Sequence, residues 1–248
     1  FWYDVPNVRT GFSSVNFNIN RGWLRAVEIC VNTFAVESFI DEIALHLKKD
    51  PLAYRLSLLE GRPAFDVRQY GTIVKQEPQR IAGVLKLAAE KIGWTDKREP
   101  NHFVGIATHS FIFARAYAAH AIEIEVTGDK KFRIKKIVGA IDCGLVINPD
   151  GLRNQMEGAI VFGLSQVLKG EITVQDGKVA EDGFYSYELL RFDEMPPVEI
   201  YTVDSKEEPG GVGEVGLPTV SPALCNALAA AGMRPRNLPI RKDGYSWS

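Results

Sequence analysis

The residues best suited to chemistry lie in the stretch EPGGVGEVGLPTVSPALCNALAAAG, Glu208 to Gly232. One carboxylate, Glu214, sits among Gly210, Gly211, Gly213 and Gly216, and the run stops at Pro218. Bare backbone lets other groups come close, so Glu214 could work as a general base at a bound ligand. The same residues equally describe an exposed tight turn. Gln155, three residues after Leu152 in RNQMEG, stands at the border of an apolar helical stripe. A half-buried glutamine there satisfies either local backbone or a ligand. Arg25, amid the aromatics of RGWLRAV, has a surface salt bridge as its ordinary fate.

The elements that must position these groups can be read from periodicity and punctuation. Arg25 precedes an amphipathic helix carrying Val36, Phe39, Ile40, Ile43, Ala44 and Leu47 at three- and four-residue steps. Asp50 and Pro51 open a second helix that ends near Gly61. Residues 62–79 are polar and irregular, which predicts a loop, and QRIAGVLKLAAEKIGW predicts a helix stopped by Gly93. Strands follow in FVGIATHS, YAAHAIEIEV and KFRIKKIVGAIDCG, the last two joined through Gly128-Asp129 as a hairpin. Gln155 belongs to a helix with Asn148 as N-cap, Pro149 in the first position, an apolar edge of Leu152, Met156, Ile160 and Leu164, and Gly170 as its stop. A hairpin turning at Asp176-Gly177, a strand in PVEIYTVDS and a helix opened by Ser221-Pro222 complete the chain. The order of elements predicts an α+β fold with mixed sheets. It divides into two sub-lobes, residues 1–100 (loop and helices) and 101–248 (the part with the glutamate loop).

Bulk properties exclude several classes. The chain has 248 residues, 46% of them hydrophobic and 24% charged, with a formal net charge of −2. That balance points to neither a nucleic-acid nor a membrane-surface protein. Three separated cysteines without a CxxC pair argue against a zinc or iron–sulfur site on this chain, and the four histidines lack ligand spacing. GxSxG, P-loop and HExxH motifs are absent, and GGVGEVG has the wrong spacing for a dinucleotide fingerprint. The opening FWYDVPNVRTGF has no initiator methionine, and it reads as a processed subunit or a piece of a longer polypeptide.

In order, WYDVPN, RGWLRAV with NTFAVESFIDEIALHLKKDPLAYRLSLL, IDCGLVINPDGLRNQMEGAIVFGLSQVL and GGVGEVGLPTVSPALCNAL with RNLPI span nearly the whole chain. This series resembles the molybdenum hydroxylases, the xanthine oxidase family. The nearer likeness is to the large subunit of isoquinoline 1-oxidoreductase and to bacterial aldehyde oxidoreductases. The resemblance implies a molybdopterin-binding α+β fold and oxidation of an aldehyde or N-heterocycle with water-derived oxygen. It implies a molybdenum–molybdopterin cofactor, in its cytosine dinucleotide form, whose metal is held through the dithiolene and not by side chains. Electrons would leave through a small [2Fe–2S] partner.

Residue by residue, Glu214 matches the family's active-site base and Gln155 a glutamine that contacts the pterin. Arg25 and Ala26 match the segment passing beside the metal, and Gly211, Val212 and Gly213 the loop next to the cofactor. The family's glycine-rich GGGFG and GQG loops are missing here and would lie upstream in a full-length subunit. The piece alone is therefore expected to be cofactor-free and inactive. The alternative is a non-catalytic scaffold and interface domain. The substrate remains open, as does the compartment, bacterial cytoplasm or periplasm.

Overall fold

The computed structural model describes residues 1–15, 22–69 and 71–248. In chain order the elements are α1 (Ile29–His46), α2 (Pro51–Ser57), β1 (Phe65–Gln69), β2 (Thr72–Gln76), α3 (Pro78–Ile92), β3 (His102–Phe111), β4 (Ala116–Gly128) and β5 (Lys131–Asp142). Then come α4 (Pro149–Leu168), β6 (Val174–Gln175), β7 (Lys178–Val179), β8 (Val198–Thr202), α5 (Val220–Ala230) and β9 (Ser246–Trp247). The architecture is α+β, as the sequence predicts.

The main sheet runs β3-β4-β5-β8, with β9 also on β5. β3, β4 and β5 are antiparallel, whereas β8 joins β5 in parallel. A parallel neighbour requires a crossover, and α4 lies on that connection. Alternation along β4 sorts the two faces. Tyr117, Ala119 and Ala121 enter one core with Ile81, Val84, Leu85 and Ala88 of α3. Ile122 and Ile124 belong to the other core, with α4 and α5.

α5 is apolar on nearly every side and accordingly buried from Val220 to Leu228. It lies so close to β3 that a Cβ at Gly105 would stand 2.1 Å from the Ala227 nitrogen. α3 has Pro78 in its first turn and ends on Gly93 at φ 69°, where Trp94 N–H donates to Ala89 O at 2.9 Å.

Two local expectations need correction. Residues 62–79 contain the antiparallel ribbon β1–β2. Its inward pattern is too weak to read, since Gln76 is the one residue of β2 that is buried. α1 does not bury a plain apolar stripe: Phe39 is 61% exposed and Leu47 49%. Its buried face instead carries Thr33, Glu37 and Asp41. Arg55 of α2 pays for that, bonding Glu37 at 2.9 Å and Asp41 at 3.2 Å, with Tyr3 Oη donating to Glu37 at 2.6 Å. By contrast α4 ends at Leu168 with Lys169 as its C-cap, so Gly170 stands just past the helix as expected. The expected N-terminal loop and strand fall partly at 16–21, outside the described residues.

Candidate functional site

The glycine loop is held from two sides. Gly211 N–H donates to Ala114 O at 2.8 Å, in the β3–β4 connection. Gly210 N–H donates to Cys143 O at 2.7 Å, and Leu145 N–H to Glu207 O at 2.8 Å, just past β5. Arg80 fixes the end of β5 with a bidentate bond to Asp142 at 2.6 and 2.8 Å, and Gly144 N–H donates back to Asp142 at 3.1 Å.

The loop's glycines serve different ends, and none lies in the left-handed region. A Cβ at Gly210 would meet Ala114 O at 2.3 Å, one at Gly211 would meet the Ala114 Cβ at 3.0 Å, and one at Gly216 would meet Met156 Sδ at 2.7 Å. Those three are required by the protein's own packing. A Cβ at Gly213 would meet nothing within 4 Å.

Three distant segments meet at this loop. Asn148 caps α4 by accepting from Gly151 N–H at 2.8 Å, and Leu152, Met156, Ile160 and Leu164 are buried along its inner edge. Gln155 is exposed, where the sequence suggests a half-buried residue. It lines a cleft of about 360 Å³ with Cys143, Asn148, Gly151, Gly210 and Val212.

Arg25 makes no salt bridge among the described residues: its Nε donates to Gly213 O at 2.5 Å, and its Nη2 to Gln155 O at 3.1 Å and to Gln155 Oε1 at 3.0 Å. The next residue, Ala26, is fully buried and donates its N–H to Glu214 Oε1 at 2.9 Å. Ala26 and Val27 take φ of 66° and 47°, in the left-handed region. Such angles are costly without glycine and concentrate at functional sites.

The structure thus brings Glu214, Gln155, Arg25, Ala26 and Gly213 into one cluster, with Gly211 and Val212 on the adjoining loop. Glu214 Oε2 and Gln155 Nε2 have no protein partner among the described residues. Burial lowers the Arg25 pKa, while the charge of Glu214 works in the opposite direction. Burial, and then Glu214, push the Cys30 thiol up to about 11, which keeps it protonated and inert. All three cysteines are free. Sequence reasoning did not find Ala114 or the Cys143–Gly144 turn, because they act through backbone carbonyls and amides that carry no residue-type signal.

Among the described residues no group of His, Cys, Asp or Glu could hold a metal ion, and no helix is long and apolar enough to cross a membrane. Compared with known proteins, residues 68–196 match the molybdopterin cofactor-binding domain family, just over half of the chain. A protein of Gluconacetobacter polyoxogenes named membrane-bound aldehyde dehydrogenase (pyrroloquinoline-quinone) is 33% identical, covering 97% of this chain and 32% of its own length. The isoquinoline 1-oxidoreductase subunit beta of Brevundimonas diminuta is 29% identical, covering 96% of this chain and 29% of its own. The chain therefore spans about a third of the length of these curated relatives. An aldehyde oxidoreductase structure from Desulfovibrio gigas shares the fold, with a TM-score of 0.66 at 14% identity over 87% of this chain and 40% of that one.

Proposed function

The chain belongs to the molybdopterin cofactor-binding domain family of the molybdenum hydroxylases, and on that premise we propose that it forms one wall of the cofactor site and carries the general base. The complete protein would oxidise an aldehyde or an N-heterocycle. The observation that carries this reading is the meeting of Glu214, Arg25 and Gln155 from three separated segments.

The residues present fit the cofactor. The space beside Gly213 is open, and Gln155 presents an unpartnered amide nitrogen that can donate to a heterocyclic acceptor. With no ligand cluster among the described residues, a metal here would have to arrive with its own ligands. Gln155, Arg25 and the Gly211–Gly213 backbone would hold the group. When bound, molybdopterin supplies the two-electron centre at which a water-derived oxygen enters a carbon–hydrogen bond.

The protein's share is positional. Ala26 N–H and Arg25 fix Glu214 and its loop, so that Oε2 faces outward to take up a proton. General-base catalysis of this kind contributes about 10²–10⁴-fold. Exposed Phe12, Trp23, Phe184 and Phe192, at 93%, 92%, 83% and 99%, are faces that further polypeptide would cover. Completion of the site by the rest of the subunit, and electron transfer to a small [2Fe–2S] partner, belong to the same proposal, as does the cytosine dinucleotide form of the pterin.

Cofactor analysis of the complete protein tests this reading. Molybdenum and pterin in equal amounts are expected. A protein holding neither, or holding a quinone such as the first relative's name specifies, would overturn it.

A further inference from the structure

A second cavity, about 590 Å³, lies between the N-terminal segment, the first turn of α1 and the ends of β2 and β3. Its walls are aromatic, and the polar side chains that line it are uncharged. Phe12, Phe111 and Trp2 line it, and no Lys, Arg, Asp or Glu does among the described residues. Trp2 meets His109 edge-on at 5.2 Å, and His109 meets Phe111 at 6.3 Å.

Two buried side-chain nitrogens at this cavity, Gln76 Nε2 and His109 Nε2, have no partner among the described residues. Gln76 and His109 are each only 5% exposed. Neither is free to turn away. Ser110 Oγ bonds Gln76 Oε1 at 3.1 Å, which leaves the amide nitrogen unpaired, and Thr33 Oγ1 bonds His109 Nδ1 at 3.0 Å. Buried polar groups in folded proteins are nearly always satisfied, so two orphans at one cavity call for an occupant. Burial also pushes the His109 pKa down to about 3, so its ring is neutral at ordinary pH and cannot attract an anion.

We propose that this cavity binds a planar, uncharged aromatic molecule, its ring against Trp2 and Phe111 and its acceptor atoms, carbonyl oxygens or ring nitrogens, taking the free protons of Gln76 Nε2 and His109 Nε2. Thr33 then donates to Nδ1, which puts the His109 proton on Nε2. The cavity adjoins the glutamate site: Ile29 lines it, and Ile29, Phe111 and Ala26 pack in one cluster. Identifying the occupant as the substrate rests on the proposed function; the binding chemistry does not. Gln76 and His109 would be the specificity residues, since a site built to bond an acceptor rejects the isostere that lacks it.

The test is equilibrium binding of isoquinoline and of naphthalene, the same shape without the ring nitrogen, to the complete protein near pH 8, with no turnover required. Isoquinoline should bind at least tenfold more tightly. Gln76→Leu and His109→Phe should each pull the ratio toward one by weakening isoquinoline alone. If a variant fails to fold, the wild-type protein still decides: the ¹⁵N resonance of His109 Nε2 should move with isoquinoline and not with naphthalene. Equal binding of the two probes, an unchanged ratio in both folded variants, or no binding because another segment fills the cavity would overturn the proposal. Because binding is read without catalysis, absence of molybdenum chemistry would sink the proposed function and leave this result standing, and the reverse holds equally.

Discussion

Ala26 donates its backbone N–H to Glu214 across 188 positions of sequence, at 2.9 Å, from a φ of 66°. Ala26 is also fully buried, so the side chain at position 26 has little latitude. Ala26→Val should destabilise the protein by about 1–3 kcal/mol, because a β-branched residue resists positive φ and the site is fully buried. Ala26→Gly keeps the N–H and should hold stability within about 1 kcal/mol of the original. Urea unfolding of the two variants checks the contrast.

Gly210 and Gly213 should respond oppositely to alanine. At Gly210 the new Cβ meets Ala114 O at 2.3 Å, and backbone cannot step aside cheaply. A loss of about 1–3 kcal/mol is expected. At Gly213 the new Cβ would meet nothing within 4 Å, so Gly213→Ala should leave stability within about 0.5 kcal/mol. Cofactor content or turnover of the complete protein should nonetheless fall, since the methyl projects into the space assigned to the cofactor. Calorimetry with molybdenum analysis separates the two effects.

Arg55 is fully buried and pairs with Glu37 and Asp41, themselves 0% and 3% exposed as side chains. Arg55→Met should cost about 3–5 kcal/mol, because it strands two buried carboxylates. Arg234 offsets part of this through its 2.9 Å bond to Asp41, whereas Glu37 loses its only cation among the described residues. Denaturant titration of Arg55→Met measures the cost.

Burial pushes His120 and His109 down to about 3, from an ordinary 6.5. Above the ordinary value both states are neutral and neither residue affects stability. Below it the unfolded chain takes up protons that the native state refuses. Stability should therefore fall as pH drops from 6.5 toward 3, by roughly 1.4 kcal/mol per pH unit for each histidine. His120→Gln, which can still bond Thr219, should remove half of that slope in unfolding experiments between about pH 7 and pH 5. An unchanged slope would contradict it.

Much of this was legible in the sequence where local rules decide. Asn148, Pro149 and the 152/156/160/164 spacing define α4 and with it the place of Gln155. Gly93 and the Asp176-Gly177 turn stand where their backbone chemistry requires them. What could not be read depends on distant partners. The apolar pattern of α1 misled because Glu37 and Asp41 are buried by Arg55 and Arg234, which lie 18 and 193 residues away from their respective partners. Gly210 and Gly216 read as openings for a ligand, yet each is filled by the chain's own Ala114 or Met156. The Arg25–Gly213 bond spans 188 residues, beyond any spacing rule.

The central claim is that Glu214 takes up a proton during turnover. Glu214→Gln retains an oxygen to accept from Ala26, so the loop should keep its place and the complete enzyme its molybdenum. Substrate turnover per molybdenum should then fall by at least about 10²-fold. Turnover equal to that of the unaltered enzyme, at equal molybdenum content, would contradict the account.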